Sequence, residues 1–185
     1  NHLYKGISMN EYAYGCVLRE NYGWVEYVEA ESCMEPEQIN RYFQRLGVSI
    51  CLSYFLGTGD LHYENLIAHG EYPVPVDVEV FCTQAGGKDG TKEGYSVLFS
   101  GILPDPSRST QVNILNGGEG QKASIKVARV INDKSSDMKI AYDYPEMPVA
   151  DNQVMLNGSR ISAAAYETDI SDGFRKAYSF IMENK

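Results

Sequence analysis

The sequence predicts an α+β domain in which one buried helix delivers a polar loop to a β-hairpin, with additional strands further along the chain. Three observations carry that expectation. Ile39, Tyr42, Phe43, Leu46 and Ile50 recur at helical spacing and mark a single apolar face. Leu66 to Ala68 and Val74 to Val80 are apolar runs on either side of the turn-rich His69-Gly70-Glu71-Tyr72-Pro73, which is a hairpin pattern. Between helix and hairpin, Gly57-Thr58-Gly59 stops the helix and passes the chain to Asp60.

From Glu11 to Ala30 the pattern is aromatic-rich and partly alternating around the turn at Asn21-Tyr22-Gly23, which predicts two strands. Trp24 within them reads as a core residue rather than a ligand-stacking one, following the usual burial of aromatics. The helix starts near Pro36, a residue suited to the first helical position, with Glu37 favourable at the positive end of the dipole. From Val48 to Leu56 nearly every side is apolar, so its second half is expected to be buried.

Beyond the hairpin, Thr83 to Gly94 contains Gly and Lys and reads as a mobile loop, with Lys88 and Lys92 open to a purely solvating role. Ser96 to Leu103, Ser124 to Ile131 and Met138 to Tyr142 read as strands, and Asp105 to Thr110 and Asn116 to Gln121 as loops. Gly117-Gly118-Glu119-Gly120-Gln121-Lys122 lacks the spacing of a phosphate-binding loop and reads as a linker. Asp143 to Arg160 is an irregular stretch. A closing helix is expected from about Asp172, capped by Ser171, with Phe174, Ala177, Tyr178 and Ile181 on the face that covers the strands.

The chemistry concentrates in Gly59-Asp60-Leu61-His62-Tyr63-Glu64-Asn65 and Asp77-Val78-Glu79. A hydroxyl attacking a γ-phosphate needs a carboxylate to orient it or take its proton, and the triphosphate needs metal ions held by oxygen ligands. Protein kinases use the Asp of D-x-x-x-x-N for the first task, and that Asn with a later strand-borne Asp for the metal. Asp60 and Asn65 reproduce the spacing, and Asp77 stands where the second ligand belongs. Glu79 is expected on the same face of a buried strand as Asp77, where two carboxylates call for a cation between them. Turns also favour Asp and Asn for their local hydrogen bonds, so the pair alone says little. His62 is left between two roles, a hydrogen bond inside the loop and a contact to phosphate.

At 185 residues, 43% of them hydrophobic, the chain suits one globular domain. A net charge of −9 and the lack of any Lys/Arg cluster argue against nucleic acid as a partner. Cys16, Cys33, Cys51 and Cys82 are widely spaced and unmatched by histidines, which favours a reducing cytoplasm over disulfides or zinc. No apolar run approaches membrane-spanning length, and the opening Asn1-His2-Leu3 suggests a piece of a longer protein.

Several of these runs resemble a known family. Tyr22-Gly23-Trp24-Val25-Glu26, Arg41-Tyr42-Phe43-Gln44-Arg45-Leu46-Gly47 and above all Gly59 to Ala68, Gly70-Glu71-Tyr72-Pro73-Val74 and Asp77-Val78-Glu79 resemble the dehydratase domain of class II lanthipeptide synthetases, the LanM type. Gly101-Ile102-Leu103-Pro104 and Asp172-Gly173-Phe174 extend the likeness over most of the chain, the specific part being Tyr22 to Glu79. The family's usual Asp-Leu-Glu-Thr is here Asp77-Val78-Glu79-Val80, a departure that spares both acids.

That family is similar in fold to lipid kinases. The resemblance therefore implies a kinase-like C-lobe portion with a catalytic loop at 57–65, a metal-ligand hairpin at 66–80 and an activation-loop-like segment at 83–94. It implies phosphorylation of Ser and Thr in a ribosomally made precursor peptide by ATP with Mg²⁺, then elimination of phosphate to dehydroalanine or dehydrobutyrine. By motif match Asp60 is the catalytic aspartate, His62 an active-site residue on the phosphate side, Asn65 and Asp77 the Mg²⁺ ligands and Glu79 a supporting acid.

Upstream of Asp60 the only lysine is Lys5, and no Gly-rich phosphate loop precedes it. The ATP-gripping N-lobe, the cyclase domain and the eliminating Arg and Thr are thus expected outside residues 1–185, and this chain alone is expected not to dehydrate a peptide. Two rivals share the pattern. A small-molecule phosphotransferase of the aminoglycoside or choline kinase kind has a similar Gly-Asp-Leu-His-x-x-Asn loop, and a non-catalytic module could keep the shape to hold a peptide.

Overall fold

The computed structural model describes residues 2–80, 96–105, 115, 122, 126–146 and 150–184. The chain runs α1 (His2–Gly6), β1 (Cys16–Leu18), β2 (Gly23–Val25), α2 (Pro36–Leu56), β3 (Leu66–His69), β4 (Tyr72–Pro75), a 3-10 turn (Val97–Ser100), β5 (Val127–Ile131), β6 (Lys139–Asp143), β7 (Met155–Leu156), β8 (Ser159–Arg160), a second 3-10 turn (Ala163–Tyr166) and α3 (Glu167–Glu183). The strands form four antiparallel hairpins, β1–β2, β3–β4, β5–β6 and β7–β8.

Helix α2 forms where the periodicity places it. The Gln38 side chain accepts from the amides of Met34 and Glu35 at 2.7 and 3.1 Å, satisfying donors that the first turn would otherwise leave open. Gly57 adopts φ 58° at the far end, a left-handed conformation that closes the helix. Ile39, Tyr42, Phe43, Leu46 and Ile50 are all buried, in one cluster with Leu61, Leu66, Ala68, Ile102 and Val154. Burial of the second half stops one turn short of expectation: Phe55 and Leu56 are 37% and 39% exposed, since the chain turns away at Gly57.

Helix α3 differs from expectation twice. It begins at Glu167, so Ser171 lies inside it and caps nothing. The start is favoured by Glu167 and Asp169 in the first turn, next to the positive dipole end. Its apolar side packs on α2 and not on the strands, because two glycines let the backbones touch. A methyl group at Gly47 would collide with the Ile170 carbonyl, and one at Gly173 with the Gln44 carbonyl. Asp169 fixes the crossing by accepting from Asn40 and Gln44, each at 3.0 Å.

Glu31 and Cys33 stitch two hairpins together. Glu31 N–H donates to Ala68 O at 2.9 Å and Cys33 N–H to Met155 O at 2.7 Å. The β7–β8 hairpin lies in the stretch expected to be irregular, turning on Asn157 (φ 48°) and Gly158 (φ 79°), a pair suited to two-residue turns. Val127–Ile131 and Lys139–Asp143 pair as a hairpin close to the expected bounds.

Two further expectations are corrected. Ser96 to Leu103 holds a 3-10 turn instead of a strand, since Ser96 Oγ accepts from Leu98 N–H at 3.2 Å and Gly101 closes the turn at φ 81°. Trp24 is 69% exposed and not in the core, because among the described residues β1 and β2 pair only with each other. The segment at 83–94 with Lys88 and Lys92 and the linker residues 117–121 lie outside the described residues.

Candidate functional site

The loop between α2 and β3 alternates in burial although it is not a strand. Leu61 and Tyr63 point inward at 4% and 5% exposure, while Asp60 and Glu64 are exposed and His62 is half-buried. The inward pair holds the loop, so its polar members share the outer side. Leu61 N–H donates to Ser100 O at 2.8 Å, tying the loop to the 3-10 turn, and Gly101 sits against the Leu61 backbone. Gly59 is needed for packing: a methyl there would come within 2.9 Å of the Phe99 ring.

Asp60 adopts φ 61°, a left-handed conformation that stores strain in any residue with a side chain, though Asp tolerates it better than most. Asn65 explains how the strain is held. Its side-chain amide donates to the Asp60 carbonyl at 2.9 Å across the loop and lies 3.4 Å from His62 Nε2. His62 Nδ1 in turn accepts from Glu64 N–H at 3.2 Å. Asp60 and Asn65 are thus bonded across the loop with His62 lying beside the Asn65 amide, and the bond from Glu64 N–H inside the loop is one of the two roles left open for His62.

Asp77 and Glu79 are placed differently from expectation. Strand β4 ends at Pro75, and Val76 to Glu79 are exposed and irregular instead of forming a buried strand. The ladder cannot continue because the residues opposite, Tyr63 to Asn65, are already turning. The two acids therefore sit in water, and burial gives no reason for a cation between them. What does place them is a pair of backbone hydrogen bonds. Val76 N–H donates to Asn65 O and Gly59 N–H to Val80 O, both at 3.1 Å. The segment carrying Asp77 and Glu79 is bracketed by these bonds and runs alongside the loop carrying Asp60, His62 and Asn65.

The donor chemistry fits a hard cation. Mg²⁺ takes oxygen ligands, commonly one or two carboxylates with water and phosphate oxygens completing the shell. With its nitrogen donating to the Asp60 carbonyl, the Asn65 amide has its oxygen left over, and that oxygen and the Asp77 and Glu79 carboxylates are the donors such an ion would take. Among the described residues no group of three or more His, Cys, Asp or Glu is placed to hold a metal ion.

One buried cluster was not singled out from sequence. Arg45, on α2, is 5% exposed. Its guanidinium donates to the carbonyls of Asn10 at 2.9 Å and Glu71 at 3.1 Å, stands 3.3 Å from the Glu71 carboxylate and lies 4.4 Å over the Tyr72 ring. Arg41, one turn earlier, also donates to that carboxylate. Burial alone would raise the Glu71 carboxyl, but the Arg41 hydrogen bond and the Arg45 charge outweigh it and hold it below the ordinary range. The signal was present as two arginines at i, i+4 on the helix and a lone acid in the hairpin turn.

Residues 3–185 match the family described as Domain of unknown function (DUF4135). The chain is also 29% identical over 191 residues to the lacticin 481/lactococcin biosynthesis protein LcnDR2 of Lactococcus lactis subsp. lactis. That similarity covers 95% of this chain and 21% of the relative, so the chain spans about a fifth of the relative's length.

Proposed function

The chain belongs to the DUF4135 family, and from that premise we propose that it is the part of a lanthipeptide dehydratase that carries the phosphoryl-transfer loop. The relative's name, a lacticin 481 biosynthesis protein, supports a role in making a lanthipeptide from a precursor peptide. The observation that carries the finer reading is the pair of backbone hydrogen bonds from Val76 to Asn65 and from Gly59 to Val80, which lays the acidic segment against the loop.

In this reading Asp60 orients the Ser or Thr hydroxyl of the peptide and takes up its proton. Its strained backbone, pinned by Asn65, keeps the carboxylate from relaxing away. Asn65 and Asp77, with Glu79 in support, would hold Mg²⁺, and His62 would stand on the phosphate side. Mg²⁺ with ATP supplies a phosphoryl group whose developing charge the metal offsets. Among the described residues no helix is long and apolar enough to cross a membrane.

The test is Asp77→Asn in the full polypeptide that carries this domain, co-expressed with its precursor peptide and read by mass spectrometry. Loss of phosphorylated and dehydrated products by orders of magnitude is expected. Unchanged peptide modification would end the metal-ligand reading and favour a non-catalytic peptide-binding module, which the exposure of Asp77 and Glu79 would then explain.

A further inference from the structure

A cavity of about 290 Å³ lies against the loop, between the N-terminal segment, α2 and the β3–β4 hairpin. Leu61, the inward neighbour of Asp60, and Val78, which sits between Asp77 and Glu79, both form part of its wall. The loop and the acidic segment that carry the candidate catalytic residues thus also border the cavity. Tyr12 and Tyr72 form an aromatic edge to it, with ring centroids 5.8 Å apart.

Size and charge restrict what can enter. The volume lies just below the range of about 300–1,000 Å³ typical of small-molecule pockets, which suits one bulky group rather than a whole nucleotide. Among the described residues that line it Arg45 is the one cation and Glu11 the one acid, and the guanidinium is already engaged by Glu71 and the Asn10 carbonyl. Exposed acids, Asp60, Glu64, Asp77 and Glu79, stand on the loop and the segment beside it. An anionic ligand would meet repulsion without a free partner, whereas an uncharged apolar group would gain a largely apolar, aromatic-edged wall.

We infer that this cavity is a specificity pocket for the peptide substrate, taking a bulky apolar or aromatic side chain from a residue next to the Ser or Thr presented to Asp60. The inference rests on the peptide-modifying reading and adds to it a preference for the flanking residue. No covalent step is involved.

The experiment titrates the full polypeptide that carries this domain with N-acetyl-phenylalanyl-serine amide and N-acetyl-glycyl-serine amide, without nucleotide, following binding by isothermal titration calorimetry. The phenylalanyl probe is expected to bind about tenfold or more tighter, from burial of its ring. Ser49→Phe, which fills the cavity from α2, and Tyr12→Ala, which removes part of its edge, are each expected to abolish the preference. Should Ser49→Phe fail to fold, Tyr12→Ala on the outer rim decides. Equal binding of the two probes, or an undiminished preference in either folded variant, overturns the pocket. Because no phosphoryl transfer is read, that result leaves the Asp77→Asn experiment to judge the reaction itself.

Discussion

The carboxylate of Glu71, in the turn between β3 and β4, lies 3.3 Å from the buried guanidinium of Arg45 on α2. This contact joins the two elements that supply the candidate site. Helix α2 leads into the Asp60 loop, and the hairpin leads into Asp77. With the turn fixed at one end and the Val76–Asn65 hydrogen bond at the other, the hairpin has little freedom to slide along the helix.

Removing the acid should expose how much this clamp matters. Glu71→Ala leaves Arg45 buried without its counter-charge, and a loss of about 3 kcal/mol is expected in urea unfolding. Arg41→Ala should stay within about 1 kcal/mol, because that side chain is 45% exposed and its pairing is screened. Similar effects from the two substitutions would mean that burial of Arg45 is not what makes the contact important.

The same pair predicts an acid limb. The folded state holds the Glu71 carboxyl below its ordinary value of 4.5, with burial opposed by Arg41 and Arg45. Its contribution is then fully present above that value and disappears as pH falls through the depressed folded one. Thermal melts of the wild type should lose stability across this range, and Glu71→Gln should show a shallower decline. A Gln variant with an unchanged slope would assign the acid limb to other carboxylates.

Gly47→Ala and Gly173→Ala should each cost about 1–3 kcal/mol, since either methyl forces α2 and α3 apart. Both widen one crossing, so the double variant should lose less than the sum of the two. Strict additivity in denaturant titrations would show that the helices respond independently.

Asp60→Gly is expected to raise stability by up to about 1 kcal/mol by removing the left-handed strain at φ 61°, while abolishing peptide phosphorylation in the full polypeptide. Calorimetry and mass spectrometry on the same variant check the two halves. Retained phosphorylation would remove Asp60 from its proposed role.

Helix α2, its glycine stop and the β3–β4 hairpin were legible because each depends on residues a few positions apart: the 3.6-residue period, a left-handed Gly and a turn between apolar runs. The Asn157-Gly158 hairpin carries an equally local signal inside the stretch expected to be irregular. Trp24 and the start of α3 misled because average habits of a residue type stood in for the neighbours that decide burial and packing. Asp77 and Glu79 misled for a related reason, since an apolar run reads as a strand whether or not a partner strand lies opposite.

By itself, then, the sequence determined the local elements, α2, its glycine stop and the β3–β4 hairpin, and marked Asp60, His62, Asn65, Asp77 and Glu79 as candidates for chemistry. Only the tertiary structure decided that Asp77 and Glu79 lie in solvent beside the loop, that Asn65 pins the Asp60 backbone, and that Arg45 is buried against Glu71. These outcomes depend on which distant segments leave a hydrogen-bond donor or a charge needing a partner, and that is settled only when the chain has packed.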